Sequence, residues 1–369
     1  MIDVRCHVAP LRVKTLIVLG ALCAMLLAGC ASPPARASVG AGVGAQPTGT
    51  PVAAPTRAPP PTATAFIQQI AATALPTVAP TPDRQAPPRV GLQVGHWRIE
   101  EHPDEMAQLR KFSGVYYRGY DEWELNIVIA QAVQARLEAA GVTVDLLPAN
   151  VPMGYTADAF LSIHVDGITG ATAATRRGWK VTMPFRASTA SQGLAAAVGS
   201  AYAATTGLPF DGEQASNNLR AYYAFASYRY WHSIAPTTPA AIIECGFMTH
   251  PADRKLIFEQ PELLAEGIAR GILAYLAESY PLSAAARAPV GPGMLRANAA
   301  GATLYTRAAT TSAAVVRVAA GQRLVPVDMV AGWYLVFTHG GAWDLGWVRG
   351  AEVVETGEGL VPPQPRPQE

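Results

Sequence analysis

Two histidines and two carboxylates stand where chemistry could be done. His96 closes Val94-Gly95-His96 and His164 closes Ser162-Ile163-His164, each at the end of an apolar run with strand character. In an open α/β sheet, ligands gather beyond the carboxyl ends of the strands, so imidazoles at two strand ends form a pattern with a mechanism. Taken singly, either histidine more often reads as a hydrogen-bonded structural residue; the pair brings the two readings level. Imidazole nitrogen with carboxylate oxygen is the donor set of many catalytic zinc sites, which keep one position for water. Glu244 ends the apolar run Ala240-Ala241-Ile242-Ile243. A carboxylate on a buried strand is costly unless it is paired or functional, so it is a functional candidate. Glu122 opens the strongest helical stretch, and spacing alone makes it a first-turn glutamate favoured by the helix dipole.

These residues need elements to hold them. Val90–Val94, Val142–Leu147, Ala159–Ile163, Trp179–Met183 and Ala240–Ile243 read as strands, and Ala190–Thr205 and Pro261–Tyr280 as helices. Glu124–Ala140 carries Leu125, Val128, Ile129, Ala132, Val133, Arg136 and Leu137 on one face at helical spacing, and Gly141 ends it. Strands alternating with helices predict an α/β domain around a mostly parallel sheet flanked by helices, spanning 89–282. A Pro/Ala/Gly spacer, 283–294, leads to short apolar runs separated by turns over 295–356, which predict a small all-β barrel. The tail, 357–369, is Pro-rich and expected to be loose.

Four ordered blocks between Arg89 and Tyr280 resemble the zinc-dependent N-acetylmuramoyl-L-alanine amidases of the third type. They are Gly95-His96; Glu122-Trp123-Glu124-Leu125-Asn126-Ile127; Asp158-Ala159-Phe160-Leu161-Ser162-Ile163-His164-Val165-Asp166; and Glu244-Cys245-Gly246-Phe247 ahead of a helix start. The resemblance implies that His96, Glu122 and His164 bind Zn2+. It implies that Glu244 is the general base, and that the bond cut joins N-acetylmuramic acid to L-alanine of peptidoglycan. The family usually reads Asp-Pro-Gly-His-Gly-Gly where this chain has Gln93-Val94-Gly95-His96-Trp97-Arg98, so an acidic residue able to orient the histidine is missing. Asp166 stands where Asn is usual. Trp97 and Arg98 are candidates for a substrate groove, as is His232 within Tyr228-Arg229-Tyr230-Trp231-His232, where core packing is the plainer reading. His102 reads as surface loop, His250 as structural at a helix start and His339 as a turn residue. The C-terminal unit resembles the bacterial SH3-like domain through Leu304-Tyr305-Thr306-Arg307, Gly332-Trp333-Tyr334-Leu335-Val336 and Gly346-Trp347-Val348.

The rest of the chain suggests where such a domain would work. Residues 1–29 have a basic start (Arg5, Arg12, Lys14) and the apolar stretch Thr15–Leu27, ending Leu27-Ala28-Gly29-Cys30. This resembles a lipoprotein signal peptide with Cys30 as the lipidated residue, giving an extracytoplasmic protein anchored to a membrane. Residues 30–88, rich in Ala, Pro and Thr, cannot bury enough surface to fold and are expected to form a disordered tether. Cys245 is then left as a buried, inert thiol. The 369 residues carry a formal net charge of +1 and no basic run, which argues against nucleic acid as a partner. The expected partners are peptidoglycan and the membrane, with the protein taken as a monomer. Two other readings stay open: a non-catalytic wall-binding or scaffolding lipoprotein, and a different metallopeptidase site using Glu100 in place of Glu122.

Overall fold

A computed structural model describes residues 86–168, 170, 175–212 and 215–367. The signal peptide, Cys30 and nearly all of the expected tether lie outside them. Among the described residues, no helix is long and apolar enough to cross a membrane.

The first domain runs β1 (Arg89–Val94), a hairpin of β2 (Tyr116–Tyr117) and β3 (Tyr120–Asp121), α1 (Glu122–Ala139), β4 (Thr143–Leu147), β5 (Ala159–Asp166), β6 (Lys180–Thr182), α2 (Thr189–Thr206), β7 (Ala240–Phe247), α3 (Pro251–Glu259) and α4 (Pro261–Ser279). Five strands form one sheet in the order β4-β1-β5-β7-β6. The first four are mutually parallel, and β6 closes the edge antiparallel to β7. This is the mostly parallel α/β sheet expected from the strand and helix alternation.

Side chains alternate across a strand, and here the two faces have different covers. Val90, Leu92, Val94, Leu161, Ile163, Ala241 and Ile243 face the main core, built against α1, α2 and α4. In that layer α4 packs on both α1 and α2. Burying such a layer supplies the domain's main driving force, at about 25 cal/mol per Å² of apolar surface. The opposite face carries Phe160, Ala240 and Ile242, packed under Val151, Ala224, Phe225 and Ile234. By the same alternation Gln93, Ser162, His164, Lys180 and Glu244 point to this second face. The sheet therefore sends its polar residues away from the helices and toward the largely irregular segment 215–234.

Helix ends follow local chemistry. Asp121 caps α1 and its backbone N–H donates to the Glu124 carboxylate at 2.9 Å. Ser188 caps α2 by accepting from the Ser191 amide. His250 caps α3, with Pro251 in its first turn, so it is structural as expected. Val128, placed on the apolar stripe of α1, is in fact exposed, and Arg136 from the same stripe pairs with Glu262 and Glu266 on α4.

The C-terminal domain contains β8 (Leu295–Ala297), β9 (Ala302–Tyr305), β10 (Ala314–Val318), β11 (Arg323–Val330), β12 (Trp333–Thr338), β13 (Leu345–Arg349) and β14 (Val353–Glu355). They form one antiparallel sheet in the order β10-β9-β13-β12-β11-β8-β14. Its core is Leu295, Leu304, Leu324, Val336, Val348 and neighbours. The tail beyond Thr356, expected to be loose, runs along this sheet: Glu358 pairs with Arg296 and Arg323, and the Val361 carbonyl meets His339 Nε2 at 2.8 Å.

A second core joins the two domains. Met106, Phe185, Tyr228 and Tyr230 of the first pack with Met294, Val325, Val327, Leu335 and Phe337 of the second. Tyr228 stacks on Phe337 with ring centroids 6.0 Å apart. Arg186 donates to three backbone carbonyls, of Gly291, Pro292 and Pro326.

Candidate metal centre

The three expected ligands converge. Atoms of His96, Glu122 and His164 all lie within 4.8 Å of one another. His164 projects from the end of β5, His96 follows the end of β1, and Glu122 is the first residue of α1. The Glu122 carboxylate sits between the imidazoles, with Oε1 2.9 Å from His164 Nδ1 and Oε2 3.5 Å from His96 Nε2. Glu100, the alternative ligand, is exposed and outside this cluster.

The donors are fixed from behind. Glu122 Oε2 accepts from the Val115 amide at 3.0 Å and Oε1 from Asn126 Nδ2 at 3.3 Å; Asn126 also reaches the Gly95 carbonyl. His96 Nδ1 lies 2.7 Å from the Phe112 carbonyl, so a proton there leaves Nε2 with its lone pair toward Glu122. Two glycines keep the space clear. A Cβ on Gly95 would lie 2.3 Å from the His164 ring, and one on Gly114, whose φ is +83°, would lie 2.5 Å from Glu122 Oε2. Two imidazoles and one carboxylate in such a cradle fit a zinc ion.

Electrostatics suit the same use. Burial lowers the His96 pKa despite the neighbouring Glu122, which favours the neutral form that ligates metals. Burial pushes the Glu122 carboxyl up, but His96, His164 and the Val115 amide together outweigh it and hold it ionised.

Glu244 lies beside the cluster. It is the in-register neighbour of His164 on the next parallel strand, so both project to the same face. Burial, then the Asp166 and Glu122 carboxylates, raise its pKa well above the ordinary value, with Lys180 opposing them. Its Oε2 is buried without a hydrogen-bond partner. Lys180, opposite Glu244 on β6, is itself buried and pairs with Asp166, the residue that stands where Asn is usual.

The expected groove residues have separate partners. Trp97 is half-buried against the main core, while Arg98 is exposed, lies over Trp97 and pairs with Glu101 at 2.6 Å. His232 is held by Glu105, Nδ1 to Oε1 2.8 Å. His102, expected on a surface loop, is instead 1% exposed and edge-on to Tyr223, with ring centroids 4.8 Å apart. The short 3-10 turns at 99–101 and 104–111 fold it inward, and Arg110 donates to its carbonyl. Burial lowers its pKa to about 4. Cys245 is buried and free, and burial raises its thiol pKa.

Sequence reasoning missed two residues. The Tyr222 hydroxyl lies 3.1 Å from His164 Nε2 and donates to the Tyr223 hydroxyl at 2.9 Å. Tyr223 in turn accepts from Gln93 Nε2 at 3.4 Å. Both come from the segment 215–234, which has neither strand alternation nor a long helical face; the only sequence signal was its density of tyrosines.

Residues 95–274 match the family model described as N-acetylmuramoyl-L-alanine amidase, a stretch that contains His96, Glu122, His164 and Glu244. Similar solved structures include three such amidases. That of Clostridium difficile 630 shares 23% identity, covers 52% of this chain and 97% of its own, and has a TM-score of 0.38. That of Nostoc punctiforme shares 22%, covers 51% and 96%, and scores 0.37. That of Mycobacterium smegmatis shares 21%, covers 53% and 99%, and scores 0.39. No curated protein matches the chain.

Proposed function

We propose that this chain is a zinc-dependent hydrolase of peptidoglycan, cutting the amide between N-acetylmuramic acid and L-alanine of the stem peptide. The observation that carries the reading is the His96–Glu122–His164 cluster with Glu244 alongside, all inside the stretch that matches the amidase family model. Zinc held by the three ligands would supply Lewis acidity, polarising the amide carbonyl and making a water more acidic.

The chain's own residues do the rest. Glu244 takes a proton from the attacking water and returns it to the leaving amine of L-alanine. A carboxyl with a raised pKa suits both transfers near neutral pH. Lys180 tempers that rise through its charge and is itself held by its pairing with Asp166. Asn126 and the Val115 amide hold Glu122 in place as a ligand.

In the same proposal, Cys30 carries lipid, residues 30–88 tether the domain outside the cytoplasm, and the C-terminal sheet is an SH3-like wall-associated module. The test is release of free stem peptides from purified sacculi by zinc-loaded protein, with Glu244→Gln and a chelator as controls. Release abolished by both supports the reading. No release from any peptidoglycan tried favours a wall-binding scaffold.

A further inference from the structure

The tyrosine pair beside the metal cluster has no role in the proton transfers, yet its geometry is specific. A histidine that ligates a metal through Nδ1 must carry its proton on Nε2, and that N–H needs an acceptor when buried. His164 is 4% exposed. Its Nδ1 faces Glu122 at 2.9 Å, on the side of the other ligands. Its Nε2 faces the opposite way, 3.1 Å from the Tyr222 hydroxyl.

That hydroxyl has a polarity. Tyr222 donates its proton to Tyr223, which turns its own lone pairs toward His164. Tyr223 also accepts from Gln93 Nε2, which donates to the Ala149 carbonyl as well, the latter at 2.7 Å. The rings are locked as well: Tyr222 stands edge-on to His164 at 5.4 Å and to Phe225 at 5.5 Å. Tyr223 is edge-on to His102.

We propose that Tyr222 is a positioning residue for this metal site: its hydroxyl, turned by Tyr223 and Gln93, accepts the Nε2 proton of His164 and leaves Nδ1 to ligate beside Glu122 and His96. The inference rests on the metal reading above. A neutral hydroxyl relay does here what a carboxylate or a backbone carbonyl does behind other ligating histidines. It also explains how β1 can carry Gln93 rather than an acid: Gln93 addresses the metal shell through two phenols, not directly.

The experiment uses the full chain as wild type, Tyr222→Phe and Tyr223→Phe. Zinc affinity is measured by competition with a chromogenic chelator, and the His164 tautomer by ¹⁵N NMR of the zinc-loaded protein. The expected result is a loss of roughly 10–100-fold in zinc affinity for Tyr222→Phe, the usual cost of removing a ligand's outer partner. A smaller loss is expected for Tyr223→Phe. Metal-free thermal midpoints and circular dichroism should stay near wild type. A Tyr222→Phe affinity within twofold of wild type overturns the inference, and so does tighter binding, which would mean that the phenol competes with the metal. If Tyr222→Phe does not fold, Tyr223→Phe decides: wild-type affinity there overturns it. A wild-type chain that binds no zinc would instead overturn the metal reading, so the two failures are distinguishable.

Discussion

Gly95 is a point in the site where a single added carbon must disturb a ligand. A Cβ added there falls 2.3 Å from Cε1 of His164 and 2.5 Å from each ring nitrogen. Carbon atoms pack at about 3.5 Å, so the imidazole of Gly95→Ala has to retreat by about 1 Å. It has little room to do so, with Glu122 at 2.9 Å on one side and Tyr222 at 3.1 Å on the other. Overpacking of this kind costs about 1–3 kcal/mol of stability. Displacing a reacting group by about 1 Å costs on the order of 10²-fold in function. The expected Gly95→Ala protein folds, with a lowered melting temperature, and loses roughly 100-fold in zinc affinity and in stem-peptide release. Gly193→Ala is the control. It lies within α2, its added Cβ meets only Tyr275 at 3.7 Å, and removing a helical glycine should stabilise by about 0.5–1 kcal/mol. Wild-type zinc affinity in Gly95→Ala would refute the argument, because it would mean that His164 is not confined where the geometry confines it.

Glu244→Gln should abolish stem-peptide release while leaving zinc bound. It should also change the pH dependence of stability. A folded pKa raised above the unfolded one means that the wild type loses stability as pH climbs past the ordinary glutamate value of about 4.3, until the folded carboxyl has ionised. Gln has no such loss, so in metal-free protein the advantage of Glu244→Gln in urea titrations should open with rising pH and then level off. A gap independent of pH would count against a buried Glu244 with a raised pKa. Arg186→Ala removes three hydrogen bonds from a charged donor and should destabilise by about 2–4 kcal/mol, with faster proteolysis in the 283–294 spacer. Unchanged proteolysis would show that the apolar contact alone holds the domains. Zinc at 100 times its dissociation constant should stabilise the fold by about 2.7 kcal/mol, and chelation should reverse the shift in melting temperature; Glu122→Gln should largely remove it.

Much of this was legible in the sequence because it depends on local period. The strands at 90–94, 159–163 and 240–243 announce themselves as apolar runs, and each ends on or beside a polar residue that the sheet then aligns. The helix from Glu122 was legible from its stripe, although Val128 and Arg136 fell outside the buried face. The antiparallel attachment of β6 was not legible, since three residues of edge strand carry no direction. His102 was misjudged because its polar neighbours Glu100, Glu101 and Asp104 face solvent while its own ring turns under Tyr223. The two missed tyrosines show the general limit. Their role comes from contacts to Gln93 and His164, about 130 and 58 residues away in the chain, and no local pattern encodes those.

The segment that supplies those tyrosines is itself held from two directions. On one side Ala224 and Phe225 pack on Phe160 and Ile242 of the sheet, fixing its height above His164. On the other, Ala226, Tyr228 and Tyr230 pack with Val325, Val327 and Phe337 of the C-terminal domain. The Phe185 amide donates to the Arg220 carbonyl, two residues before Tyr222, and Phe185 is also edge-on to Phe337. A short irregular chain has little stability of its own, because its backbone entropy is not offset by regular hydrogen bonding. Its position over the metal cluster therefore depends on both surfaces. The C-terminal sheet, which has a core of its own, is thus also part of the frame of the candidate centre.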